Sequence, residues 1–154
     1  MEGLPGGRLL RYLEEGGARH EVDSQGVNGY LQTIAGEDIA AKDFRTWAAT
    51  QLAAVTLCAF SDYDTKAKAK KQVVEAVKSV AARLGNTPAV CRKSYINPCV
   101  VDGHLDGTLR AAFQKRAQDV LETPEHGLSA EEAAVTGFLA NRLPYLHNNG
   151  AVKP

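Results

Sequence analysis

The stretch from Lys42 to Phe60, KDFRTWAATQLAAVTLCAF, decides the fold class of this chain. It contains no glycine or proline and is rich in alanine, the residue with the highest helix propensity. Apolar residues recur through it at helical spacing and leave it apolar on most sides, so we expect a long, central helix. The apolar positions of this pattern are Phe44, Trp47, Leu52, Val55 and Ala59.

The segment downstream of this helix predicts a second long helix and then a short one. The basic run that starts at Lys66 opens an amphipathic pattern that ends at Gly85, a residue suited to close a helix. Thr87 then offers a cap, with Pro88 at the first helical position, where a missing N–H costs nothing. This short helix should reach about Ile96 before Pro98 stops it.

The segment upstream predicts a small hairpin and a helix. Residues 9–12 and 19–22 read as short strands joined by a glycine turn. A helix of about three turns should start at Asp23 or Ser24, whose side chains can accept from free backbone N–H groups, and should end at Gly36.

The segment after Pro98 predicts turns followed by two helices. We expect turns at Asp102-Gly103 and Asp106-Gly107, and then a helix over residues 108–121. A loop should cover residues 123–128. Ser129 and Glu132 form a capping box, which predicts a last helix to about residue 142 and a frayed tail.

Composition agrees with a mainly α, globular chain. Its 154 residues are 44% hydrophobic but only 6% aromatic, which favours helices over a sheet-rich core. Lys+Arg and Asp+Glu both number 18, so any contact with nucleic acid must come from a local patch. Cys58, Cys91 and Cys99 lack a C-x-x-C spacing and should behave as small apolar residues. The four histidines show no metal-ligand spacing.

Two segments carry candidate chemistry. Lys42-Asp43-Phe44-Arg45-Thr46-Trp47 places an arginine inside an apolar helix, where a charge is costly unless it is paired or faces a ligand. The structural alternative is a buried pair of Arg45 with Asp43 or Asp62. Residues 85–95, GNTPAVCRKSY, end in two cations and Tyr95. Here the alternative is a capped helix with a solvated basic face and a packed tyrosine.

These segments, together with Val22-Asp23-Ser24 and Val27-Asn28-Gly29-Tyr30-Leu31, resemble the type IB DNA topoisomerases of the poxvirus-like and bacterial branch. The resemblance runs from about Leu9 to Pro98, and the order and spacing of its pieces make it specific. It implies a helical catalytic core, with residues 1–98 as the C-terminal part of the catalytic domain and residues 99–154 as a helical extension packed on it.

The resemblance implies an isomerase that relaxes supercoils without ATP, metal or another cofactor. Tyr95 matches the tyrosine that attacks a DNA phosphodiester and forms a 3′-phosphotyrosyl intermediate. Arg45 matches an arginine that clamps a non-bridging phosphate oxygen. Asn86 occupies a position that is histidine in many members; an amide donates a hydrogen bond but takes no proton. Lys42, Arg92 and Lys93 are candidate DNA contacts, while the lysines from Lys66 to Lys71 read as a solvated face.

The family's second catalytic arginine and its general-acid lysine belong to sequence upstream of the matched part. We therefore expect a catalytic set that is incomplete in this chain, impaired activity alone, and the N-terminal region of the enzyme as a partner beside duplex DNA. A tyrosine recombinase or integrase fragment is one alternative, although Lys42 stands where those enzymes have the histidine of H-x-x-R. A non-catalytic helical DNA-binding module is another. No apolar run approaches membrane-spanning length, and the start lacks a signal-peptide pattern, so we expect a cytoplasmic, nucleoid-associated protein. We also expect it to be a monomer.

Overall fold

A computed structural model describes residues 11–35, 39–122 and 128–149, and within them the chain is mainly α-helical with one short β-hairpin, as predicted. The chain divides into two compact units, with the boundary between Phe44 and Arg45. The elements are β1 Arg11–Leu13, β2 Arg19–Glu21, α1 Ser24–Ala35, α2 Ala41–Ala59, α3 Lys66–Leu84, α4 Pro88–Ser94, α5 Pro98–Leu105, α6 Thr108–Glu122 and α7 Ala130–Asn149.

The first unit contains the hairpin and helix α1. Strands β1 and β2 pair antiparallel with Tyr12 opposite His20, and the rings of these two residues stack with centroids 5.2 Å apart. Gly17 makes the turn at a φ of 79°, which glycine adopts without strain. Asp23 Oδ1 accepts a 2.7 Å hydrogen bond from the N–H of Gly26, so the predicted start of α1 is confirmed. The predicted end at Gly36 and the predicted strand residues 9 and 10 lie outside the described residues.

Among the described residues the second unit has one hydrophobic core, to which six helices contribute. Each supplies a fully buried side chain: Leu57 from α2, Val80 from α3, Cys91 from α4, Val100 from α5, Leu109 from α6 and Val135 from α7. Helices on both sides of Pro98 therefore share this core. The separation of a catalytic part from an extension at residue 98 stays a prediction.

The buried side of helix α2 differs from the predicted apolar pattern. It is built mainly from small residues, with Ala49, Ala53 and Ala54 all at most 1% exposed. Trp47 and Leu52 pack at its margin, whereas Phe44 is 54% exposed. Spacing alone does not distinguish the large apolar residues from the alanines between them, and the alanines occupy the core.

The predicted turn at Asp102-Gly103 is wrong, because helix α5 runs through it from Pro98 to Leu105. Asn97 caps this helix, with its side chain accepting from the N–H of Cys99 at 3.0 Å, and Pro98 stands at the first helical position. Helix α4 already ends at Ser94, so Pro98, which was expected to stop that helix, begins the next one. Gly107, at a φ of 81°, makes the second predicted turn.

The helices that follow begin where expected. The predicted capping box is present: Glu132 N–H donates to Ser129 Oγ at 3.2 Å, and Ser129 N–H donates to Glu132 Oε2 at 2.9 Å. The predicted end near Arg142 is wrong, because α7 extends to Asn149. Of the predicted loop over residues 123–128, residues 123–127 lie outside the described part of the chain.

The three cysteines are free, as their spacing predicted. Cys91 and Cys99 are buried and Cys58 is half-buried. Burial raises the pKa of the Cys58 thiol to about 11, although the positive charge of Arg110 acts to lower it. Among the helices of the described ranges, none combines the length and the apolar character required to cross a membrane.

An ion pair joins the turn before α6 to helix α7. The guanidinium of Arg142 donates to the carboxylate of Asp106, which also accepts from the backbone N–H of Thr108 at 3.0 Å. Burial raises the pKa of Asp106, but the hydrogen bonds from Arg142 and Thr108 outweigh this effect and hold the pKa at about 2. The ionised carboxylate is therefore the form that the folded state favours.

We expect Asp106→Asn to reduce the loss of stability in acid. A carboxyl whose folded pKa of about 2 lies below its ordinary value of 3.8 stabilises the fold above 3.8, and this contribution disappears as the pH falls toward 2. Urea unfolding between about pH 5 and pH 2 should give a shallower pH dependence for the variant than for the parent chain. Asp64→Asn is the control, since that carboxylate is exposed and lies 3.9 Å from Lys68. Identical slopes for Asp106→Asn and the parent chain would contradict the role of the pair.

We expect Gly103→Ala to destabilise the second unit. A Cβ at Gly103 would lie 2.4 Å from Cζ of Phe138, a buried ring, and 3.3 Å from Cβ of Leu109. Such overpacking typically costs roughly 1–3 kcal/mol, more than alanine gains in helix propensity. Gly137→Ala is the matched control, because nothing lies within 4 Å of its added Cβ, and it should raise the unfolding free energy by roughly 0.5–1 kcal/mol. Equal stability of the two variants in urea would contradict the packing of α5 against α7.

Candidate functional site

At the C-terminal end of helix α3, the carbonyl of Leu84 has no donor within its own helix. Gly85 ends the helix in the left-handed conformation at a φ of 66°. The N–H of Gly85 donates to Ala82 O, and the N–H of Asn86 donates to Ala81 O. The last four carbonyls of an α-helix have no partner within the helix, so the carbonyl of Leu84 must be satisfied from outside.

Arg45 supplies one hydrogen bond to this carbonyl. Its Nη2 donates to Leu84 O at 2.9 Å, where the partial negative charge of the helix end favours a cation. The Cζ atom of Arg45 lies 5.3 Å from the centroid of the Tyr95 ring, within the range of a cation–π contact. The guanidinium is exposed and retains further N–H groups for a ligand.

Asn86 supplies a second donor at the same carbonyl. Its Nδ2 lies 3.4 Å from Leu84 O, and its backbone N–H closes the end of α3 on Ala81 at 2.9 Å. The side chain is half-buried. The structure therefore brings Arg45, Asn86 and Tyr95 together: two donors share one acceptor, and one of the two donors lies over the tyrosine ring.

Tyr95 stands at the C-terminal end of helix α4, as the sequence predicted. Its N–H donates to Cys91 O at 3.1 Å, and its φ of −127° and ψ of −34° mark the point where the chain leaves the helix. The side chain is half-buried and packs against the core cluster. Among the described residues its hydroxyl has no hydrogen-bond partner.

Thr50, which the sequence analysis did not single out, holds the backbone at Tyr95. It lies on helix α2 and is 2% exposed. Its hydroxyl donates to Tyr95 O at 3.2 Å and accepts from the N–H of Asn97 at 3.1 Å. The sequence contained one indication of this role, because Thr50 is a hydroxyl residue on an alanine-rich helix, five positions after Arg45.

The alternative of a buried Arg45–aspartate pair is wrong. Arg45 is exposed and bonds to a backbone carbonyl. Asp43 Oδ2 accepts from the N–H of Ala40 at 2.8 Å, close to the start of α2. Asp62 pairs with Arg110 at 2.9 Å.

The predicted DNA-contacting residues occupy different places. Arg92 and Lys93 are exposed in the last turn of α4, and Arg92 lines a shallow groove with Lys70, Val73 and Val101. Lys42 lies in the first turn of α2 and belongs to the other compact unit. Their role in DNA binding stays a prediction. The lysines from Lys66 to Lys71 are exposed, in agreement with a solvated helix face.

His104 has a structural environment. It is buried, and its Nε2 lies 3.0 Å from Oε1 of Gln72. Burial lowers the pKa of the imidazole, and the charge of Arg110 lowers it further, so the neutral form is favoured. Over the part of the chain that the structure describes, no three His, Cys, Asp or Glu residues are grouped so that they could hold a metal ion.

Comparison with known proteins identifies relatives that share this region. The family description "eukaryotic DNA topoisomerase I, catalytic core" matches residues 14–103, which is more than half of the chain and includes Arg45, Asn86 and Tyr95. The chain is also 33% identical over 100 residues to a DNA topoisomerase 1B of Acanthamoeba polyphaga mimivirus. That alignment covers 60% of this chain and 30% of the viral protein. A bacterial source for the chain stays a prediction, since this relative is viral.

We expect Tyr95→Phe to leave the fold intact, because the Tyr95 hydroxyl is unbonded among the described residues. Its unfolding free energy in urea should lie within roughly 0.5 kcal/mol of the parent chain. Tyr63→Phe is the matched control, because the Tyr63 hydroxyl donates to the backbone carbonyl of His104. Loss of that bond should cost roughly 0.5–1.5 kcal/mol. A larger cost for Tyr95→Phe than for Tyr63→Phe would show that the Tyr95 hydroxyl supports the fold.

Proposed function

The chain belongs to the family of the DNA topoisomerase I catalytic core, of type IB, and we propose on this premise that it cleaves and rejoins one strand of duplex DNA through a covalent bond to Tyr95. The observation that carries the proposal is the contact of the Arg45 guanidinium with the Tyr95 ring, 5.3 Å from Cζ to the ring centroid. It places a cation beside the one phenol that the family resemblance assigns to catalysis.

The proposed reaction is a pair of transesterifications. The Tyr95 oxygen attacks a backbone phosphorus, a phosphotyrosyl bond to the 3′ end forms, and the bond to the 5′ oxygen breaks. The phenol loses its proton and the leaving 5′-hydroxyl gains one. Because one phosphodiester replaces another, the reverse step rejoins the strand without ATP, and rotation of the free end between the two steps relaxes supercoils.

Arg45 is the proposed electrostatic clamp. A pentacoordinate phosphorus carries extra negative charge on its non-bridging oxygens, and a fixed guanidinium stabilises this charge more than it stabilises the ground state. The hydrogen bond to Leu84 O at 2.9 Å holds the group beside the tyrosine and occupies one of its N–H groups. The others can donate to two phosphate oxygens side by side.

Asn86 is the proposed second donor to the phosphate. Its amide nitrogen meets Leu84 O at 3.4 Å, a long contact that one N–H makes while the other stays free. An amide does not titrate, so Asn86 supports the phosphate by hydrogen bonding and takes no part in proton transfer. Lys42, Arg92 and Lys93 are the proposed contacts to the DNA backbone.

The catalytic set proposed for this chain is partial. The chain spans 30% of the length of the viral topoisomerase, and the resemblance assigns a second arginine and a general-acid lysine to sequence upstream of the matched part. The effects of groups that stabilise a transition state together are not additive, so removal of one group can cost far more catalytic rate than its separate contribution suggests. We therefore propose that full activity requires a polypeptide that supplies these groups.

A covalent-trapping assay tests the proposal. A suicide duplex that loses the strand downstream of the cleavage site is incubated with this chain, alone and with the N-terminal region of a type IB topoisomerase. We expect a protein–DNA adduct that Tyr95→Phe abolishes and Tyr63→Phe retains. Arg45→Ala should slow adduct formation by roughly 10²–10³-fold, the usual cost of one transition-state donor.

Two results would contradict the catalytic proposal. One is the absence of any adduct, even with the added N-terminal region, in a protein whose fold is verified. The other is an adduct that survives Tyr95→Phe. DNA binding that weakens with salt and is indifferent to Tyr95→Phe, without an adduct, would identify a non-catalytic DNA-binding module instead.

A further inference from the structure

We propose that Thr50 is a positioning residue, which orients Tyr95 by holding its backbone against helix α2. This inference rests on the proposed function, in which the Tyr95 oxygen must approach a phosphorus in line with the leaving oxygen. The hydrogen bonds of the Thr50 hydroxyl go to the main chain, at Tyr95 O and Asn97 N–H, so its effect on Tyr95 passes through the main chain.

The geometry of the Thr50 hydroxyl carries the proposal. A threonine inside a helix commonly returns its hydroxyl to a carbonyl of its own helix. Thr50 instead donates to Tyr95 O at 3.2 Å and accepts from the N–H of Asn97 at 3.1 Å. The Thr50 side chain, which is 2% exposed, therefore satisfies the carbonyl of the residue before Ile96 and the N–H of the residue after it. Loss of the hydroxyl would leave two partly buried backbone groups without a partner, which costs more than an ordinary hydrogen bond gains.

The segment that Thr50 holds is the junction of two helices. Helix α4 ends at Ser94 and helix α5 begins at Pro98, so Tyr95 lies where neither helix dictates the backbone completely. The buried Ile96 side chain and the cap made by Asn97 restrain the downstream end of this junction. The Thr50 hydroxyl ties the junction to a third helix, and it does so at the carbonyl of Tyr95 itself.

Helix α2 therefore controls two parts of the candidate site. Arg45 and Thr50 lie five residues apart on it, within one rigid element. Arg45 places its guanidinium 5.3 Å from the centroid of the Tyr95 ring, and Thr50 fixes the backbone from which that ring extends. Helix α2 thus helps to set the distance between clamp and nucleophile, because it carries Arg45 and holds the junction to which Tyr95 belongs.

The first test does not depend on activity. Thr50→Val keeps the size and shape of the side chain and removes the hydroxyl, and Thr50→Ser keeps the hydroxyl. Thr56→Val makes the same chemical change on the same helix, at a half-buried threonine whose hydroxyl has no partner within the described ranges. Amide hydrogen exchange by NMR should show faster exchange at Asn97 and shifted ring resonances for Tyr95 in Thr50→Val, but not in Thr50→Ser or Thr56→Val.

The second test measures the chemical step. The substrate is a suicide duplex with sulfur in place of the bridging 5′ oxygen, because a thiolate leaves without a general acid and so reduces the need for upstream groups. Under single-turnover conditions, below the unfolding temperature of every variant, Thr50→Val should form the adduct on the order of 10–100-fold more slowly, the penalty of a displaced reacting group. DNA affinity should be unchanged, and Thr50→Ser should restore most of the rate.

The outcomes separate this inference from the proposed function. If the parent chain forms no adduct even with the N-terminal region of a type IB topoisomerase added, the proposed function fails and the NMR result decides whether Thr50 holds the Tyr95 backbone. If the parent chain forms an adduct and Thr50→Val forms it equally fast, Thr50 is structural and the inference is overturned. Unchanged Asn97 exchange in Thr50→Val overturns it as well, and a rate loss shared by Thr56→Val shows a general effect of altering α2.

Discussion

The carbonyl oxygen of Leu84 is the acceptor on which the arrangement of the candidate site depends. Helix α3 ends there, so this oxygen has no partner in its own helix, and Arg45 at 2.9 Å and Asn86 at 3.4 Å both donate to it. The negative end of the helix attracts the guanidinium, which would otherwise extend into solvent. Arg45 is thereby held over the Tyr95 ring, and the three residues that the family resemblance singles out meet in one place.

The same contacts suit the proposed role of the site, which is to receive a phosphate. The Arg45 guanidinium donates to a neutral carbonyl and faces the electron-rich surface of an aromatic ring. A phosphate group is charged and can accept two parallel hydrogen bonds from arginine, which are stronger than a bond to a neutral carbonyl. It could therefore accept from the N–H groups of Arg45 that do not donate to Leu84 O. Since positive and negative side chains are equal in number over the whole chain, the attraction for DNA that the proposed function requires would have to come from the local placement of cations.

Local signals in the sequence predicted most of the secondary structure correctly. The capping box at Ser129, the cap at Thr87 and the terminal glycine at Gly85 act through hydrogen bonds within a few residues, and all three are found where expected. The predicted turn at Gly103 is wrong because a glycine suggests a turn when only the sequence is considered. In the structure this glycine lies within a helix and leaves space for the ring of Phe138. That requirement comes from a helix more than thirty positions downstream.

The sequence by itself determined the helical class of the chain and the family resemblance, and it proposed Arg45, Asn86 and Tyr95 as candidate site residues, because composition, caps and motif spacing are read directly along the chain. Tertiary structure alone decided that Arg45 bonds to Leu84 and not to an aspartate, and that Thr50 holds the Tyr95 backbone. These partners are 39 and 45 residues apart in the chain. Such contacts exist only after the helices have packed, since packing decides which buried donor meets which acceptor.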